Sequence, residues 1–161
     1  MMFALDLDTT VAASPAALWQ AWTDVDRFPT WDPREEEARL EGTFAVGATV
    51  WSKQRGNRGG AVTLTAVIPE RLWRAEKRLP GGKLVIDHCI EALPDGRVRV
   101  SKRYEAHGPM ALLFRWFFAR RIRRDVPSSF AALEREAQRL GLARVTSIRG
   151  TIRERRMSAR R

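Results

Sequence analysis

A chain of 161 residues, 44% hydrophobic and 30% charged, fits one domain with a substantial core and excludes a disordered or fibrous polymer. A single cysteine, Cys89, excludes an intramolecular disulfide and a cysteine-based metal cluster, and it suits a reducing compartment. The net charge of +10 invites a nucleic-acid reading, yet residues 144–161 alone carry seven arginines against one glutamate, so most of the excess sits at the C-terminal end.

The first residues hold Asp6 and Asp8 and no basic run, so a secretory signal is not expected and a cytoplasmic protein is the default. The greasiest stretch, residues 110–119, is too short to span a bilayer and contains Arg115. Phe3, Leu5, Leu7, Thr9 and Val11 alternate with polar residues, which predicts a half-buried strand. Ser14-Pro15 then opens a helix, with serine as cap and proline in the first turn, carrying Leu18, Trp19 and Trp22 on one face. Asp24 is the expected cap of a second short helix or turn through Phe28, closed by Pro29 and Pro33.

Residues 35–108 read as strands and tight turns: 35–40, 49–55, 61–68, 72–79, 83–93 and 97–107. Gly56 to Gly60, Pro80-Gly81-Gly82 and Pro94-Asp95-Gly96 are the turn signals between them. Short turns between consecutive strands predict an antiparallel meander. The last element is a helix over about 109–140, in which Val126, Phe130, Leu133, Ala137 and Leu140 repeat at helical spacing. Pro127 removes a backbone donor there, so a kink or break is expected, and Gly141 is the natural C-cap.

This order predicts an α+β fold. A curved antiparallel sheet of about seven strands wraps a long C-terminal helix, with two short helices after the first strand. Residues 1–141 form the single domain, and 142–161 are a basic, mobile tail capable of weak contact with polyanions or a membrane surface. A curved sheet around one helix leaves a gap between them, and gaps of that kind hold ligands.

Several stretches, in order, resemble the START-like superfamily in its polyketide cyclase/dehydrase branch, also called SRPBCC. They are Ser14-Pro15-Ala16-Ala17-Leu18-Trp19, Trp22 through Pro33, Leu40-Glu41-Gly42, Val46-Gly47-Ala48, Asp87-His88, Pro94-Asp95-Gly96, Gly108-Pro109 and Arg123 through Pro127. The resemblance covers roughly residues 3–140. It implies a helix-grip fold with a deep hydrophobic cavity. Relatives bind lipids, sterols, polyketides or plant hormones, some cyclise polyketides, and others act as chaperone cofactors or assembly factors. The branch has no universal catalytic motif to carry across.

His88 alternates with Leu84, Ile86 and Ile90, so it is expected to face the cavity. There it serves as an acid or base, as a hydrogen-bond donor to a ligand carbonyl, or as a plain core histidine. Tyr104 shares its strand face with Val98, Val100 and Lys102, and either meets a ligand or packs. Lys102 is out of place on an apolar face and is a secondary candidate. Trp31, Trp73, Leu64 and Ile86 are the expected wall, with Leu113, Phe114 and Phe117 facing them from the helix. No residue spacing supports a metal site, and no cofactor is expected. The leading reading is a binder of a small, largely apolar molecule. The alternatives are a cyclase/dehydrase-like enzyme using His88, and an interaction module with a filled cavity.

Overall fold

The computed structural model describes the backbone of residues 1–158 and the side chains of 1–145 and 147. Seven strands form one sheet: β1 Met2–Val11, β2 Glu35–Glu41, β3 Thr49–Gln54, β4 Gly60–Ile68, β5 Leu72–Leu79, β6 Gly82–Ala92 and β7 Val98–His107. Every neighbouring pair is antiparallel, in the order β1-β7-β6-β5-β4-β3-β2. The chain meanders through consecutive hairpins from β2 to β7, and β1 then pairs with β7 at the far edge. Register shifts at Glu35/Glu37 and Leu64/Ala66 interrupt two ladders. Such bulges bend a strand and increase its local twist.

Between β1 and β2, helix α1 Pro15–Thr23, a single 3-10 turn Val25–Arg27 and helix α2 Phe28–Trp31 carry the chain from one sheet edge to the other. Ser14 caps α1, its Oγ accepting from the Ala17 amide at 3.2 Å, and Pro15 follows in the first turn. Asp24 does not cap with its side chain. It supplies a backbone carbonyl to the Arg27 amide instead, at 3.1 Å.

After β7 come a short helix α3 Met110–Leu113, a π-helical turn Phe114–Phe118, and the long helix α4 Ala119–Ser158. The core is sealed between α1, α4 and the sheet, with Leu18, Leu64 and Leu133 fully enclosed. Each such side chain contributes about 1.5–3 kcal/mol by leaving water.

Of the kink or break expected at Pro127, the structure shows no break, because α4 runs through it. A π turn also interrupts the α-helical pattern earlier, at Phe114–Phe118. One expectation about this helix is corrected. Gly141 does not end it, since the residues after it (Leu142, Ala143, Arg144) are good helix formers. Arg144 also ties this part to α1, donating to the Gln20 side-chain oxygen at 3.0 Å. The expected mobile tail over 142–161 is therefore helical through Ser158, and residues 159–161 lie outside the described residues. No helix among the described residues is long and apolar enough to cross a membrane.

Candidate functional site

Sheet alternation places one row of side chains from three neighbouring strands on the concave face. Trp73 of β5 is the register partner of His88 of β6, and His88 is the partner of Lys102 of β7. One step along, Ala75, Ile86 and Tyr104 form the next row. These rows and α4 enclose a cavity of about 430 Å³. That volume lies within the range of small-molecule sites. Phe28, Trp31, Asp32, Arg34 and Glu35 close it from the α2–β2 side, and the exposed Asn57 and Arg58 mark its mouth.

The row is aromatic and tightly assembled. The Trp73 and His88 rings are stacked, with centroids 3.4 Å apart and planes within 5°. Trp22 meets His88 edge-on at 5.3 Å, and Trp73 at 6.4 Å. Burial holds the His88 pKa well below 6.5, the Lys102 charge pushes the same way, and backbone hydrogen bonding from Trp73 and Ile86 opposes both weakly. The imidazole is therefore neutral at physiological pH. Burial likewise lifts the Tyr104 hydroxyl above its ordinary range.

Lys102 and Glu35 are half-buried charged residues on the cavity wall, near the buried Asp32. Burial lowers the Lys102 pKa, while Asp32 and Glu35 pull it back up. Burial raises the Glu35 pKa, with the Gln54 hydrogen bond and Lys102 opposing. Gln54 donates to one Glu35 oxygen at 2.9 Å, and the other oxygen has no partner. The Lys102 ammonium sits 6.0 Å from the Trp22 ring centre, at the outer limit of a cation–π contact. Lys102 is half-buried and lines the cavity.

The mouth is fastened by charge. Arg34 pairs with Asp125 of α4, and Arg121 one turn earlier approaches the same carboxylate at 3.5 Å. The Arg124 hydrogen bond leads in holding the Asp125 pKa below its usual range, and Arg34 adds to it. Arg121 also reaches across to the β3–β4 loop, donating to the backbone carbonyls of Arg55 and Gly56. Helix and loop are thus joined over the cavity by one side chain.

Of the residues expected at the site, Trp31, Trp73, Ile86, His88, Tyr104 and Phe114 line this cavity. Three do not. Leu64 is wholly enclosed in the core, while Leu113 and Phe117 turn outward, 41% and 70% exposed. With Leu112 and Trp116 they form an exposed apolar patch on the first helical turns. The helix instead lines the cavity with Phe114, Phe118, Arg121, Asp125 and Ser129. Their spacing of four, three, four and four is one α-helical stripe. Continuing the Val126–Ile122 stripe toward the N-terminus finds Phe118; the run 112–118 alone does not, because it is apolar on nearly every face. Trp22, on the apolar face of α1, also touches the cavity. Among the described residues no three His, Cys, Asp or Glu side chains converge as a metal site.

The sequence matches the family described as polyketide cyclase / dehydrase and lipid transport over residues 2–138. The chain belongs to that family. Solved structures agree with this member's fold. The Zhui aromatase/cyclase from a Streptomyces species superposes with a TM-score of 0.70 at 15% identity, covering 86% of this chain and 95% of its own. Norcoclaurine synthase from Thalictrum flavum gives 0.66 at 12% identity, covering 88% and 97%. A START superfamily protein from Mycobacterium smegmatis gives 0.64 at 12% identity, covering 85% and 98%. At such identities the likeness concerns the fold, which is the helix-grip arrangement. Among curated proteins, none matches the sequence.

Proposed function

We propose that this chain binds a small, largely apolar molecule with a few polar substituents in the cavity between the sheet and α4. One observation carries the reading. The buried side-chain atoms without a hydrogen-bond partner among the described residues are Arg34 Nε, Glu35 Oε2, Trp73 Nε1 and His88 Nδ1, and all four residues line the cavity. An orphaned buried polar group costs about 1–3 kcal/mol, so a cluster of them around one hollow favours an occupant that pairs with them. Trp22, Trp31, Phe114 and Phe118 supply apolar walls for the rest of that molecule. A lipid-like or polyketide-like compound has this chemistry, and the family description includes both lipid transport and polyketide chemistry.

The test is native mass spectrometry of the purified chain, followed by extraction of whatever is bound and a binding screen over lipids and aromatic polyketides read by tryptophan fluorescence. Binding lost on Phe118→Asp but kept on Phe117→Asp supports the cavity. No binding by any member of the panel overturns the reading.

A second reading, catalysis of cyclisation or dehydration, is favoured by a neutral imidazole beside an amine on neighbouring strands. His88 then moves a proton on a bound carbonyl compound. Absence of turnover on every compound of that panel eliminates this reading and leaves binding intact, whereas turnover unchanged in His88→Ala removes His88 from the chemistry.

A further inference from the structure

We infer that Lys102 is a carbonyl-capture site, at which the side-chain amine condenses reversibly with an aldehyde or ketone carried into the cavity. The inference rests on the cavity-binding reading and names the class of compound bound there.

The first support is the placement of the lysines. The chain holds four lysines against twenty-five arginines. Lys53 and Lys83 are paired on the sheet, with Glu36 at 2.9 Å and Glu76 at 3.1 Å. Lys77 and Lys102 are the two that line the cavity, and neither has an ion-pair partner within 4.0 Å among the described residues. Lys77 lies toward the rim, where its ammonium approaches Gly60. Lys102 lies deeper, between its register partners Leu7 and His88. The deeper of the two cavity lysines thus holds a position where the chain has kept a side chain that can shed a proton, although it otherwise prefers arginine, which cannot. A free amine in a desolvated apolar pocket is the form that attacks carbonyls, and the burial described above shifts Lys102 toward it.

The second support is the set of groups around it. Capture forms a bond between the Lys102 nitrogen and the carbonyl carbon, and a proton passes from nitrogen to the new hydroxyl. Loss of that hydroxyl as water then leaves a carbon–nitrogen double bond, with no oxidant or reductant involved. The departing hydroxyl needs a proton. Glu35 acts on Lys102 through space, its pKa is raised by burial, and one of its oxygens is unpartnered. Neutral His88, on the neighbouring strand, is available to relay a proton. Trp22, whose ring faces the amine, provides a surface for an aryl group next to the carbonyl.

The experiment exposes the full chain to limiting 2-naphthaldehyde with sodium cyanoborohydride, which fixes the condensed product. Intact mass and peptide mapping then locate the label. The expected result is a single addition mapping to Lys102. It falls by about tenfold or more in Lys102→Met and Lys102→Arg, and persists in Lys77→Arg. Label spread over Lys53, Lys83 and the N-terminus, or undiminished in Lys102→Arg, overturns the inference. Quenching of tryptophan fluorescence by 2-naphthalenemethanol, which lacks the carbonyl, reports cavity binding separately and shows that each variant keeps its pocket. If the alcohol and aldehyde both bind without labelling Lys102, carbonyl capture is wrong and the cavity reading stands. If neither binds, both fail.

Discussion

The indole of Trp73 lies flat on the imidazole of His88, 3.4 Å between centroids, and the two are register partners on adjacent strands. Backbone pairing sets the contact, so the histidine ring has little freedom to turn away. Trp22 covers another edge of it. Hydration of a charged imidazolium is thereby denied, which explains why the group stays neutral.

A pH dependence follows from that. The folded chain holds the His88 pKa below the unfolded value, so the unfolded chain takes up the proton first as pH falls. Stability from this group is complete above about pH 6.5 and declines as pH drops below it, with a limiting slope of about 1.4 kcal/mol per pH unit. Denaturant titrations at pH 7.5, 6.5 and 5.5 should show this decline in the native chain and a flatter profile in His88→Gln. Equal slopes in the two proteins would exclude His88 as the cause.

Glu35 works in the opposite direction. Its folded pKa lies above the ordinary value of 4.5, chiefly through burial. Its contribution is present below pH 4.5 and is lost as pH rises through the folded value. Glu35→Gln keeps an acceptor for Gln54 and never ionises. The variant should match the native chain at pH 4 and exceed it in denaturation midpoint at pH 7. A lower midpoint at pH 7 would mean that attraction to Lys102 outweighs burial.

How much of this could be read from sequence depends on the element. The alternation of Leu84, Ile86, His88 and Ile90, and of Val98, Val100, Lys102, Tyr104 and Ala106, placed two strand faces correctly. Glu35 gave no signal, because Glu35-Glu36-Glu37 reads as exposed and only the bulge there turns the first of them inward. The helix was harder still. Residues 112–118 offer large apolar side chains at six of seven positions, so periodicity cannot choose a face, and Phe117 stood in for Phe118. Gly141 looked like an end because glycine is the common residue just past a helix, whereas the good helix formers after it and the contact of Arg144 with Gln20 carry the helix on.

Two glycines separate strain from collision. Gly108 has φ +85°, and a Cβ there would lie 2.2 Å from the Gly81 carbonyl oxygen. Gly96 has φ +80° but open space around it. Gly96→Ala should cost about 1 kcal/mol from backbone conformation alone. Gly108→Ala should cost about 3 kcal/mol or more, since backbone must move as well. Guanidinium denaturation of both variants checks the difference, and equal losses would refute the close approach.

Pro127 tests the continuity of α4. It leaves the Arg123 carbonyl without its usual helical donor, and its own side chain is exposed. Pro127→Ala restores the donor and should raise stability by about 1–3 kcal/mol in urea titrations. A loss of stability would show that proline packing near Leu7 and Thr9, which line the small hollow beside it, matters more than the missing bond.

The strap formed by Arg121 has a consequence for how such a pocket diversifies. It grips the carbonyls of Arg55 and Gly56, groups that every amino acid supplies. Asn57 and Arg58, which look into the mouth, take no part in that grip. They are free to be exchanged without unfastening the loop, whereas Gly59 is pinned by Trp51, 2.8 Å from where its Cβ would stand. The entrance is a fixed frame with two replaceable positions, and those are where a change of preferred cargo costs the scaffold least.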